Sequence, residues 1–168
     1  MLKKISEVVS KVSDVLEKID KYFSISILVV LICIVFFQVV SRVLTGKSFV
    51  QIEEISIVMA AWVGFFTLAY TTKRGVHVRI DVFSNKLPLR TQYLLNTIIC
   101  FTTLIATIYL VKYGWALAMR KMEVPLMVLP FPSGVQYLSF PLGMAFTSVF
   151  LLDQCLKNLN AFCSKQEK

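Results

Sequence analysis

Residues 22–41 read YFSISILVVLICIVFFQVVS, twenty positions without one Asp, Glu, Lys, Arg or His. A membrane-spanning helix needs about 20 apolar residues, because the hydrocarbon layer is about 30 Å thick and each helical residue rises about 1.5 Å. The stretch predicts a transmembrane helix. Working outward, three more uncharged stretches follow at 55–72 (18 residues), 91–111 (21) and 124–152 (29), and the four together fill 88 of 168 positions. With 57% hydrophobic and only 17% charged residues, the chain reads as an all-α polytopic membrane protein in a single domain. Short loops and tails are what remains, too little for a soluble catalytic or nucleotide-binding domain.

Eighteen basic against ten acidic residues would suggest nucleic acid in a soluble protein. Here their placement argues for membrane orientation instead. Lys and Arg number five before the first span, two, five and three in the successive loops, and three after the last span. If both termini and the middle loop are cytoplasmic, 13 basic residues lie on that side and five on the other, the positive-inside arrangement. The expected layout is an amphipathic surface helix at 1–21, spans at 22–41, 55–72, 91–111 and 133–152, outer segments at 42–54 and 112–132, a cytoplasmic loop at 73–90 and a cytoplasmic tail at 153–168. The first apolar run carries no small-x-small cleavage site and is expected to stay as a span. Cys33 and Cys100 fall in mid-span and Cys155 and Cys163 near the cytoplasmic end, which suits free thiols better than disulfides or metal ligation.

The opening segment places Leu2, Ile5, Val8, Val9, Val12, Val15, Leu16 and Ile19 at three- and four-residue steps. Its other face carries Lys3, Lys4, Glu7, Lys11, Asp14, Glu17, Lys18 and Asp20, with Glu7–Lys11 and Asp14–Lys18 in a favourable i,i+4 order. Such a helix is expected along the phospholipid surface or against a partner helix, held mainly by apolar burial.

Within span one Gln38 is the strong hydrogen-bonding group and is expected to face protein. Glu53 and Glu54 stand just before span two. Three roles stay open for them: favourable charge at a helix N-terminus, a basic group on another subunit, or an ion pair with Arg42 across the outer hairpin. Span two sets Ala60, Ala61 and Gly64 beside Trp62, Phe65 and Phe66, and small residues let a neighbouring helix approach closely in lipid. After it, Gly75 suits a helix stop, and residues 76–83 alternate apolar and polar as an extended segment does. Lone His77 has no clustered second ligand to make it a metal site. Pro88 suits a helix start. Four prolines break the long uncharged stretch at 125, 130, 132 and 141. Residues 124–132 are therefore expected to form a greasy irregular outer segment that needs covering, followed by a span kinked near Pro141.

Membrane transport and catalysis usually leave ionisable groups, broken helices or cofactor ligands within the bilayer. The four spans hold no ionisable residue, and a single His cannot supply bis-histidine haem ligation. Neither an enzyme nor a bound cofactor is expected.

Arg42, Ser48, the run Glu53-Glu54-Ile55, then Trp62, Gly64 and Phe65, the element Lys73-Arg74-Gly75-x-His77-Val78-x-Ile80-Asp81, Leu87-Pro88, and later Pro130 and Pro141-Leu142-Gly143 form one pattern. It resembles the small membrane subunit of tripartite ATP-independent periplasmic (TRAP) transporters, the DctQ-like family, over essentially the whole chain. Gln51 departs from the Trp common there, which weakens aromatic anchoring at the outer hairpin. The resemblance implies a non-catalytic bacterial inner-membrane subunit bound to a large elevator-type subunit, which carries the substrate and the sodium. It also implies a periplasmic substrate-binding protein as a partner, with an organic acid of the dicarboxylate or sialic acid type as cargo.

On this expectation Ala60, Ala61, Gly64, Phe65 and Gln38 meet the large subunit. Arg42, Glu53, Glu54 and Phe131 dock the binding protein or form interhelical ion pairs. Arg74, Gly75, His77 and Asp81 make up a cytoplasmic motif. The competing reading is a self-contained oligomeric small transporter or channel, and a more distant one is an anchor subunit of a respiratory enzyme.

Overall fold

The computed structural model describes residues 2–46, 49–74 and 89–164, with the side chains of 8–46, 49–74 and 97–157. Gly75, His77 and Asp81, the alternating stretch 76–83 and the helix start expected at Pro88 lie outside the described residues. Among the described residues there are four helices: α1 (Leu2–Thr45), α2 (Val50–Lys73), α3 (Leu89–Lys121) and α4 (Gly134–Ser164). Each contains a segment long and apolar enough to cross a membrane.

The first helix corrects an expectation. A surface helix ending near residue 21 and a separate span were anticipated, yet α1 is one unbroken helix of 44 residues. At 1.5 Å per residue it is about 66 Å long, roughly twice the hydrocarbon thickness. The reason lies in the chain itself, since no Gly or Pro occurs before Gly46 to interrupt it. Gly46 then takes a positive φ of 66°, and its N–H donates to the Arg42 carbonyl at 3.0 Å, which closes the helix end.

The sides of α1 are also turned the opposite way from a soluble amphipathic helix. Ser13, Asp20 and Ser24 are buried against the bundle, while Val8, Val12, Val15, Ile19 and Tyr22 are exposed. In a membrane the solvent is apolar, so polar groups gain by facing protein and aliphatic groups lose nothing by facing out.

Helix α2 starts at Val50, five residues before the expected span, so Glu53 and Glu54 lie inside it. Helix α3 continues past the expected span end at 111, to Lys121. Helix α4 runs through Pro141 and on to Ser164, well past the expected end at 152.

Helix α4 is the hub and packs against α3, α2 and α1, while α1 also packs on α2. Glycines set close crossings, two of them within the spans. A Cβ added at Gly143 would stand 2.7 Å from the Phe65 Cβ and 2.9 Å from its carbonyl oxygen, so α2 and α4 touch backbone to backbone there. One added at Gly114 would stand 2.6 Å from the Phe140 ring, which lets α3 close on α4. Dispersion is the main attraction between helices in lipid, and these close approaches maximise it.

Between α3 and α4, Cys100, Leu104, Leu151 and Cys155 form a buried cluster, and the Cys100 thiol donates to the Leu151 carbonyl at 3.4 Å. Between α1, α2 and α4 an aromatic group takes over. The Phe66 ring lies 4.9 Å from that of Phe23, 5.7 Å from that of Trp62 and 5.4 Å from that of Phe146. Trp62 Nε1 donates to the Val135 carbonyl at 3.2 Å, which pins α2 to the start of α4.

Candidate functional site

Two polar clasps and one smooth helix face stand out on the bundle. The first clasp is built by proline. In the loop between α3 and α4, residues 125, 130 and 132 have no N–H to donate. Leu126 N–H donates to the Phe131 carbonyl at 2.9 Å and Ser133 N–H to the Val124 carbonyl at 2.8 Å, which folds the loop back on itself. Three consecutive N–H groups remain at its tip. All three go to one carboxylate: Met127 N–H donates to Glu54 Oε1 at 2.6 Å, and Val128 and Leu129 N–H donate to Oε2 at 3.0 and 2.9 Å.

Charge-assisted bonds of this kind are about twice as strong as neutral ones, so Glu54 holds the whole apolar loop against α2. Met127 remains 98% exposed and Phe131 58% exposed at the tip. The loop is irregular and greasy as expected, and its anchor is Glu54. None of the three roles considered for Glu54 included that one. Glu53, one position earlier, is exposed, as is Arg42 in the last turn of α1.

The second clasp lies at the far end of α2. Between Glu54 and Lys73 the helix rises about 29 Å, close to the hydrocarbon thickness, so the spacing of the two clasps matches that of two membrane surfaces. Lys73 Nζ donates to Ser13 Oγ at 2.6 Å, Asp14 Oδ1 at 2.9 Å and Asp153 Oδ2 at 2.7 Å. An ammonium has three protons, and here each finds an acceptor, on α1 and on α4. The Lys73 side chain is 8% exposed and that of Asp153 1%.

Lys157 Nζ adds a bond to Asp153 Oδ2 at 2.8 Å, and Gln154 Nε2 donates to the Thr72 carbonyl. Arg74 Nε pairs with Glu17 Oε1 at 2.9 Å, and its guanidinium lies 5.4 Å from the Tyr70 ring centroid. Asp14 therefore bonds Lys73 and not Lys18, its expected i,i+4 partner. Asp20 is fully buried nearer the aromatic group, and Ser24 Oγ donates to its Oδ1 at 3.4 Å.

The smooth face belongs to α2. Ala60 and Gly64 are exposed, and a Cβ at Gly64 would meet nothing within 4 Å. Ile57 above and Leu68 below continue the same outward face at 53% and 37% exposure. Ala61 is half-buried.

Two other residues expected on that outward surface are turned inward. Phe65 packs on Gly143 and on the Phe140 ring at 5.1 Å, and Gln38 is buried within the chain's own bundle. Phe65 sits one step around from Gly64, so the glycine that α4 needs at 143 draws Phe65 in. Ser13, Asp14 and Asp153 were not anticipated as clasp residues. Lys73 and Asp153 at the edges of two uncharged stretches were the available signal. Among the described residues no three His, Cys, Asp or Glu side chains converge as metal ligands.

Compared with known proteins, residues 31–161 match the family model described as tripartite ATP-independent periplasmic transporters, DctQ component. No curated protein matches the chain.

Proposed function

The chain belongs to the DctQ family, the small membrane component of TRAP transporters, and from that premise we propose that it is a non-catalytic scaffold for the large transport subunit. It is a multi-pass membrane protein with four helices, among the described residues, long and apolar enough to span, in a family that works with a large TRAP membrane subunit and a substrate-binding protein. The observation that carries the scaffold reading is the outward face of α2. Ala60 and Gly64 are exposed with open space around Gly64, on the side of α2 away from Gly143 and the aromatic group. Small residues facing out suit a close helix neighbour from another subunit.

In this proposal the Lys73 end of the bundle, with both termini, lies in the cytoplasm, and the Glu54 end faces the periplasm of the inner membrane. The exposed tip at Met127 and Phe131, with Glu53 beside it, then offers the docking surface for the binding protein. Sodium and an organic acid, of the dicarboxylate or sialic acid type, are carried by the large subunit and need touch no residue of this chain. The test is purification of the tagged chain from its native membrane in mild detergent. A stoichiometric larger polytopic partner, lost on Gly64→Trp or Ala60→Trp while the chain itself stays folded, supports the scaffold. A chain that purifies only with itself as a defined oligomer overturns it in favour of a self-contained transporter.

A further inference from the structure

We propose that the outward face of α1 between Val8 and Tyr22 is a docking surface for anionic phospholipid, with Lys11 and Lys18 holding the headgroup phosphates beside a stripe of aliphatic side chains. Sequence alone makes this segment a poor candidate, because five Lys are offset by four acidic residues before Tyr22. The fold redistributes those charges. Asp14 is bonded to Lys73, Glu17 is paired with Arg74, and Asp20 is buried completely. Lys11, Lys18 and Lys21 stay exposed. Among the described residues of this segment, two acids are thus neutralised by cations of α2 and the third is buried, while its three lysines stay exposed.

Depth and continuity point to the same occupant. Lys73 meets α1 at Ser13 and Asp14, which places that level at the membrane surface marked by the second clasp. Along the axis Lys11 lies about 4 Å outside that level and Lys18 about 7 Å inside it, close enough for a long flexible lysine stem to carry its ammonium back to the lipid phosphates. The two lysines are seven residues apart and so share one side of the helix. Next to them, Val8, Val12, Val15, Ile19 and Tyr22 are 49–69% exposed. The stripe runs without interruption into Val29, Phe36 and Val40 higher on the same helix, which face outward in the spanning part. A surface that is apolar along its length and cationic at the headgroup level is complementary to an anionic lipid leaflet.

The test follows thermal unfolding of the purified full chain in detergent on addition of phosphatidylglycerol or phosphatidylcholine. Phosphatidylglycerol is expected to raise the midpoint by about 5 °C more than phosphatidylcholine, as a ligand of the native state does. About 1 M salt, where the Debye length is about 3 Å, is expected to erase that difference. Lys11→Gln with Lys18→Gln is expected to remove at least half of it while leaving the lipid-free midpoint unchanged, and Lys112→Gln, on exposed α3, is expected to keep it whole. Equal response of the wild type to both lipids overturns the proposal, as does a double variant that keeps the preference. So does a double variant that keeps it but sheds a co-purified protein or changes its oligomer, since the face then belongs to protein. The proposal rests on the chain being membrane-embedded and not on its scaffold role, which the Gly64→Trp pull-down reads separately.

Discussion

Lys73 sits where three helices meet and spends all three of its protons on them. Removing one member of a buried ion pair leaves the other charge uncompensated, so Lys73→Ala or Asp153→Ala is expected to destabilise the chain by about 3–5 kcal/mol. Arg74→Ala, whose pair with Glu17 is half exposed, is expected to cost under about 1 kcal/mol. Denaturant unfolding of the three variants in one detergent distinguishes these outcomes, and equal losses would remove the clasp as the reason for the difference. Glu54 offers a second test at this scale. Glu54→Gln keeps the shape but loses the charge and one acceptor, and amide exchange at Met127, Val128 and Leu129 is expected to speed up about tenfold or more. Both residues stand out in the sequence as charges at the edges of uncharged stretches. Their pairings do not, because Asp153 lies 80 residues from Lys73 and the groups that donate to Glu54 are backbone N–H groups that any sequence possesses.

Helix α1 and the glycine crossings carry the predictions at the scale of elements. If α1 is continuous, spin labels at Val8→Cys and Leu44→Cys, with the native cysteines replaced, lie about 54 Å apart along the axis. A distance shorter by about 15 Å would restore the break near residue 21. Its existence as helix was legible from periodicity; its continuity was not anticipated, although the absence of Gly and Pro before Gly46 was the signal for it. Which side it buries was not, because the same pattern of polar and aliphatic residues serves water outside or protein inside. For the crossings, Gly143→Val is expected to cost more than about 3 kcal/mol by driving α4 off the Phe65 backbone. Gly64→Ala, with open space around it, is expected to stay within about 0.5 kcal/mol of the parent in the isolated chain. The two glycines look alike in the sequence, and the difference lies entirely in which helix stands opposite.

The whole molecule is a bundle with α4 at its hub and polar clasps at both ends of α2, about 29 Å apart. That spacing and the charge asymmetry of the loops lead to a prediction of orientation. In intact cells a membrane-impermeant thiol reagent is expected to label Met127→Cys from the periplasmic side and to leave Lys157→Cys untouched until the membrane is opened. The reverse pattern would invert the proposed topology and move the binding-protein surface to the other end. The apolar loop from Val124 to Pro132 makes sense only at this scale, since its exposed tip is held in place by a carboxylate from another helix.

By itself the sequence determined that this protein lies in a membrane, that four of its segments can span it, and its family. Each of these follows from local quantities: the length of an uncharged run set against bilayer thickness, the count of cations per loop, and short motifs read in order. Only the tertiary structure decided that Phe65 and Gln38 face inward while Ala60 and Gly64 face out, that Glu54 anchors a loop, and that Asp14 and Glu17 of α1 pair with Lys73 and Arg74. Those outcomes depend on which helices become neighbours and at what rotation. In lipid, where aliphatic side chains are at home on either side of a helix, periodicity alone does not set that rotation.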